Sequence, residues 1–202
     1  MSLLGTRNQE DELENGWMHM ESLSLVHYPN KILKTACADV TQIDQDLVDF
    51  VQAMSHTMYA SHGIGLAAPQ VGRNVKVVTV DVEQQEGQDT LLHLINPMIV
   101  DAHGWTTYEE GCLSFPGISA EVKRRDQIHV KAYDPSGREL DFEADGLLAI
   151  CIQHELDHLK GITFVDRLDP LVKRLVLKEY KAHRLEAALE ARDAEIKRIH
   201  EG

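Results

Sequence analysis

The run His154-Glu155-Leu156-Asp157-His158 constrains this chain more than any other stretch, and it lies in an apolar segment between Gly146 and Gly161. At 3.6 residues per turn, histidines four apart share one helix face about 6 Å apart along the axis, so two ring nitrogens can reach a single metal ion. Glu155 stands to one side of the pair. It can handle a proton beside such an ion without being a ligand. The bland alternative is a helix with two hydrogen-bonded histidines; the HExxH spacing inside an apolar helix favours the metal.

A hydrolytic site of this kind takes three protein ligands and keeps one position open. In the pattern HExxHxxGxxH, Gly161 falls where the turn is needed, but Phe164 occupies the third-ligand position, which excludes that class. Glu179, on the next expected helix, is a conceivable downstream ligand, against the alternative of a solvated helix face. Thiolate combined with imidazole suits a borderline-soft ion such as zinc or ferrous iron, which brings in the cysteines. Cys151 shares the histidine face, yet it lies about 10 Å of helix rise from His158 and its side chain leans toward the N-terminus, so it reads as wall rather than ligand. Cys112 comes from a separate segment, EGCLSFPG (110–117), which the fold could lay over the helix. Spacing permits that third corner without requiring it.

With 202 residues, 43% of them hydrophobic, the chain can bury one sizeable core. The expected organisation is an acidic segment without structure over 1–22, a catalytic domain over 23–168, and a helix of the same domain over 169–202. The N-terminus lacks the apolar run of a signal peptide, and GLLAICIQ is too short to span a bilayer, so a cytoplasmic protein without membrane contact is expected. Three cysteines without a CxxC pair point to reduced thiols. A net charge of -13 opposes non-specific nucleic-acid binding, and no specific DNA binding is expected.

Local patterns fill in the rest. Residues 23–40 suggest an extended lead-in and a turn at Pro29, without chemistry. Asp44-Gln45-Asp46 can cap a helix carrying Leu47, Phe50, Val51, Met54 and Met58 and ending near Gly63. GIGLAAPQVG (63–72) superficially fits a GxGxxG/A dinucleotide fingerprint, but it follows a helix and meets Pro69, so that reading fails. It reads as a helix cap and loop, with the option of a substrate-approaching backbone that presents Gln70. Segments 75–82, 92–100, 128–134 and 138–144 predict mostly antiparallel strands, the last two joined by a turn at Asp134-Pro135-Ser136-Gly137. Asp169-Pro170 opens a final helix to about Ile199, with Leu171, Val172, Leu175, Leu185, Leu189 and Ile196 as its apolar stripe. The fold class is α+β: mostly antiparallel sheets packed around a central HExxH helix, with a long C-terminal helix.

Taken together, GIGLAAPQVG, EGCLSFPG and QHELDHLKG, in this order and spacing, resemble the three signature motifs of the peptide deformylases over about 150 residues from LVHYP to DRLDP. The absence of a long insertion between the first two motifs resembles the bacterial type 1 group. The resemblance implies that Cys112, His154 and His158 bind one divalent metal, with Fe(II) expected and Zn(II) or another divalent ion possible. It implies that Glu155 is the catalytic carboxylate, and that Gln70 and the backbone N–H of Leu113 hold the oxyanion. Gly63 and Gly65 would lie beside an extended substrate, while Ile64, Ile150, Cys151 and His154 would border a methionine pocket. The implied substrate is an N-formyl-methionyl nascent peptide. If so, Arg174, Lys178 and Lys181, with Lys173 and Arg184 nearby, could make a weak ribosome contact, against the alternative of an ordinary solvated face. A metallopeptidase of unusual ligand set, or a non-catalytic metal- or peptide-binding module, are the competing functions.

Overall fold

The computed structural model describes residues 22–84 and 90–201. The expectation for residues 1–22 therefore falls, apart from Ser22, outside the described residues. Helix α1 spans Gln45–Ala60, and the Asp44 side chain accepts a hydrogen bond from the Leu47 N–H at 3.0 Å, which satisfies one of the unpaired donors at its start. Strands β1 (Gly65–Ala67), β2 (Val77–Val80) and β3 (Leu92–His103) follow. Then come β4 (Thr106–Gly111), β5 (Ser119–Arg124), β6 (Gln127–Tyr133) and β7 (Glu139–Asp145). Helix α2 (Gly146–Leu159) carries both histidines, and α3 (Pro170–Glu201) closes the chain.

The larger sheet runs β1-β2-β3-β6-β7, every pairing antiparallel, and β4-β5 is a separate hairpin. This is the α+β architecture the periodicities indicate. Helix α2 is buried on nearly every side from Ala149 to Leu159, its polar residues included. It packs on the larger sheet through Ala149, Ile152, Leu156 and Leu159 against Val78, Val80, Leu94, Ile128 and Val130. Helix α1 packs on the β1-β2 end through Leu47, Val51, Met54 and Met58, which meet Leu66, Val77 and Ile95. A third cluster of aromatic rings, Phe115, Phe164 and Tyr180, ties the segment after Cys112 to the turn after α2 and to α3.

Three elements escape the periodicity. β1 is three residues long, too short for alternation to register, and it lies inside the glycine motif. β4 and β5 carry polar outward faces, giving little apolar signal. The lead-in segment also does more than connect. Val26 N–H donates to the Gln70 carbonyl at 2.7 Å and Tyr28 N–H to the Ser114 carbonyl at 3.0 Å, so this segment ties the glycine motif to the cysteine motif.

The C-terminal helix carries the expected apolar stripe but turns it outward: Leu171 is 65% exposed, Leu175 58% and Leu185 63%. The packed residues are Val176 and Tyr180, which at 100° per residue fall on the opposite side of the helix.

Candidate metal centre

Cys112, His154 and His158 converge as a group whose ligand atoms all lie within 4.8 Å of one another. Cys112 Sγ is 3.3 Å from His158 Nε2. Helix α2 supplies the two imidazoles, buried at 8% and 0% exposure, with ring centroids 5.1 Å apart. Cys112 reaches them because the hairpin β4-β5 carries its connecting segment across the face of α2. Phe115 anchors that segment in the aromatic cluster.

The hairpin is bolted to the helix by charge. Arg124 on β5 donates to Glu110 on β4 at 2.6 and 2.9 Å and to Asp157 on α2 at 2.5 Å, and Arg167 also pairs with Asp157. Glu110 in turn takes a hydrogen bond at 2.8 Å from His154 Nδ1. Burial would raise the Glu110 carboxyl, but hydrogen bonds from Arg124 and His154 win and hold it down to about 2. An ionised Glu110 fixes the proton of His154 on Nδ1. That leaves the Nε2 lone pair for an ion, the carboxylate–histidine arrangement found behind metal ligands. The donor set therefore fits a divalent ion: one cysteine sulfur and two imidazoles, with the Glu110 carboxylate orienting one of them. Within the protein alone, burial opposes charge on His154, yet its hydrogen bonds to Cys112 and Glu110 raise its pKa; burial and the neighbouring His154 lower that of His158.

Glu155 is 4% exposed, and burial pushes its carboxyl up to about 7. Its Oε2 has no hydrogen-bond partner among the described residues. Gln70 is held beside the group: its Oε1 accepts from the Ala67 N–H at 2.8 Å, so its Nε2 is turned to Ser114 Oγ at 3.4 Å and Cys112 Sγ at 3.5 Å.

Cys112, His154, Glu155 and Gln70 line an open cleft of about 810 Å³, together with Gly63, Ile64, Gly65, Leu113, Ile150 and Cys151. Cys151 is buried, with Sγ 3.5 Å from the Ile64 carbonyl, in the wall. Glu179, the other ligand candidate, stands at the cleft rim, 3.8 Å from His183, and is not in the group. Phe164 stacks on the His154 ring at 6.3 Å. Of the basic residues considered for a ribosome contact, Lys173 pairs with Asp166 at 2.7 Å and Arg184 donates to the Tyr28 carbonyl at 3.2 Å, while Arg174, Lys178 and Lys181 form an exposed stripe.

Sequence reading did not find Arg124, Asp157 and Arg167, nor the bond from Glu110 to His154. Asp157 sits within HELDH and Glu110 within the cysteine motif, so an acid in each motif was the available signal.

The two motif glycines differ in what they tolerate. A Cβ at Gly65 would lie 2.5 Å from Glu155 Oε1 and 2.6 Å from Cys151 Sγ, whereas one at Gly63 would clash with the tip of the Leu113 side chain at 2.8 Å and meet the Met58 and Gly65 carbonyls at 3.4 and 3.5 Å. Gly65→Ala should therefore displace the carboxylate and cut turnover on the order of 100-fold, and Gly63→Ala several-fold less. Paired steady-state kinetics at matched metal content check the order.

The sequence profile described as polypeptide deformylase matches residues 22–174. A peptide deformylase of Syntrophobacter fumaroxidans is 42% identical over 168 residues, 83% of this chain and 99% of that protein; one from Thermodesulfovibrio yellowstonii is 43% identical over 162 residues, covering 80% and 98%. Among solved structures, a peptide deformylase from Legionella pneumophila superposes with TM-score 0.77 at 36% identity, covering 83% of this chain and 98% of that one. A peptide deformylase from Synechococcus elongatus, in complex with actinonin, gives 0.74 at 41% identity, covering 78% and 86%. With the three motifs on one cleft and a family match across most of its length, this chain belongs to the peptide deformylase family.

Proposed function

We propose that this chain is a metal-dependent hydrolase that removes the formyl group from the N-terminal formyl-methionine of newly made polypeptides and releases formate. The observation that carries this reading is the meeting of Cys112, His154 and His158 at the wall of a cleft that Glu155 and Gln70 also line. Cys112, His154 and His158 would hold the ion, which when bound supplies a Lewis acid and acidifies water at neutral pH.

The rest is done by the chain. Glu155, in its water-poor pocket, takes a proton from the attacking water and returns it to the departing amine. Gln70 Nε2 donates to the formyl oxygen as negative charge builds there, together with the Leu113 N–H, each worth about 3 kcal/mol in the transition state. Glu110 keeps His154 in the right tautomer. β1 is an edge strand of its sheet, so the Gly63-Ile64-Gly65 backbone can pair with an extended peptide. Gln84 steadies that backbone by donating to the Gly63 carbonyl at 2.7 Å. The methionine side chain fits against Ile64, Ile150, Cys151 and the flank of His154.

The physiological ion on this reading is Fe(II), with Zn(II) or another divalent ion able to occupy the same donors; zinc binds such sites more tightly, so iron use reflects availability and reactivity. The site of action is the cytoplasm; no helix among the described residues is long and apolar enough to cross a membrane. Formate release from a formyl-methionyl peptide should be abolished by a chelator and restored by anaerobic Fe(II). Failure with every divalent ion, or internal cleavage of an unformylated peptide, would overturn the assignment.

Nascent chains place the enzyme near ribosomes, and the exposed Arg174, Lys178 and Lys181 offer a weak electrostatic contact. Co-sedimentation with ribosomes should decline steeply with salt and drop when these three charges are reversed. Binding indifferent to the reversal removes the contact.

A further inference from the structure

The apolar residues that α3 turns away from its own body recur at alternating steps of four and three. Leu171 and Leu175 begin the row, Ala182, Leu185 and Leu189 continue it, and Ile196 keeps the register; Lys178 and Arg192 occupy the two remaining places. That is a 3.5-residue repeat about 38 Å long, the seam of a two-stranded coil rather than the face of a helix packed on a sheet. The body is gripped by the other side of the helix. Val176 and Tyr180 are buried in the aromatic cluster, and Arg184 bonds the Tyr28 carbonyl. From Leu185 onward the described side chains are exposed. A helical extension of that length is marginal by itself and gains stability from a partner.

We infer that α3 pairs with α3 of a second copy of this chain as a parallel, in-register coiled coil along Leu171, Leu175, Leu185 and Leu189. The flanking charges select both occupant and direction. One flank carries Arg174 and Lys181, and the other carries Glu179, Glu186 and Asp193. In a parallel pair, Arg174 of each copy meets Glu179 of the other, and Lys181 meets Glu186. In an antiparallel pair aligned along the whole row, Glu179 of each copy instead meets Glu186 of the other, acid against acid, and Lys181 loses its acidic partner. Because the body sits on the far side of the helix, the two bodies lie on opposite sides of the coil. Lys178 and Arg192 on the seam weaken it, so association is expected only at micromolar or higher concentration. The pair covers Arg174, Lys178 and Lys181, so it excludes the ribosome contact proposed above.

Sedimentation velocity of the full chain tests this. The wild type should pass from monomer to dimer as concentration rises through the micromolar range. Lys178→Leu should tighten the dimer on the order of tenfold or more. Leu185→Glu with Leu189→Glu should leave a monomer with unchanged deformylation of a soluble peptide. Lys181→Glu should weaken the dimer, and adding Glu186→Lys should restore it. A wild type monomeric throughout, or a dimer that survives the double glutamate substitution, overturns the pairing. Failure of Glu186→Lys to rescue overturns the parallel direction.

Discussion

A Glu155→Gln protein is expected to bind its metal at the wild-type level and to release formate from a formyl-methionyl peptide about 10³ to 10⁴-fold more slowly. Glutamine keeps the volume of the side chain inside its pocket but cannot accept the proton of the attacking water. The contrast with the ligands makes the test specific. Glu155 lies outside the group of converging donors, so its loss should affect turnover and not metal stoichiometry. Cys112→Ala or His158→Ala, by comparison, should lose metal and turnover together. Metal analysis and single-turnover kinetics on the same preparations separate the two. Retention of more than about a tenth of wild-type turnover by Glu155→Gln would show that another group moves the proton.

The second large effect is on stability. Arg124→Met should destabilise the fold by about 3–5 kcal/mol, because it removes the guanidinium that joins two buried carboxylates. Arg124, Glu110 and Asp157 have side-chain exposures of 4%, 3% and 5%, so water cannot take the arginine's place. Arg167 would remain on Asp157, but Glu110 would keep only His154. Ionisation of Glu110 would then cost more, loosening the orientation of His154 and with it the ion. Denaturant unfolding of the metal-free protein measures the first part, and competition with a chelator measures the second. Replacing Arg124 and Glu110 together by Met and Gln should cost less than the sum of the single changes, since the coupled pair is removed as a unit. A loss below about 1 kcal/mol for Arg124→Met would place the network among solvent-screened surface pairs, where such values are the norm.

These two experiments probe parts of the molecule that differ in how well they can be read from sequence. HELDH places two candidate ligands on one side by helix periodicity alone, because residues four apart share a face whatever surrounds the helix. Periodicity also marks α1 and α2, the long strands and the antiparallel pairing of β6 with β7 through the turn at Asp134 to Gly137. The three short motifs suffice to suggest the family. The same sequence left Cys112 and Glu179 as candidate third ligands by position, because a ligand from another element depends on where that element crosses the helix.

The apolar stripe of α3 marks the limit of such reasoning. Amphipathicity reveals that a helix has an apolar face but not what the face meets, and here the body takes Val176 and Tyr180 and leaves the leucines outside. Hydrophobic burial is non-directional, so two candidate faces are decided by the shape of the surface they meet. The sequence alone thus determined the helix, the spacing of its donors and the chemistry those donors favour. Only the tertiary structure decided which distant groups join them. Cys112 and Gln70 arrive on separate loops, and Arg124 clamps β5 to α2 across a buried gap between charges far apart in the chain. Such long-range pairings form only when the sheet, the hairpin and the central helix have packed, since packing excludes the water that would otherwise solvate each charge separately.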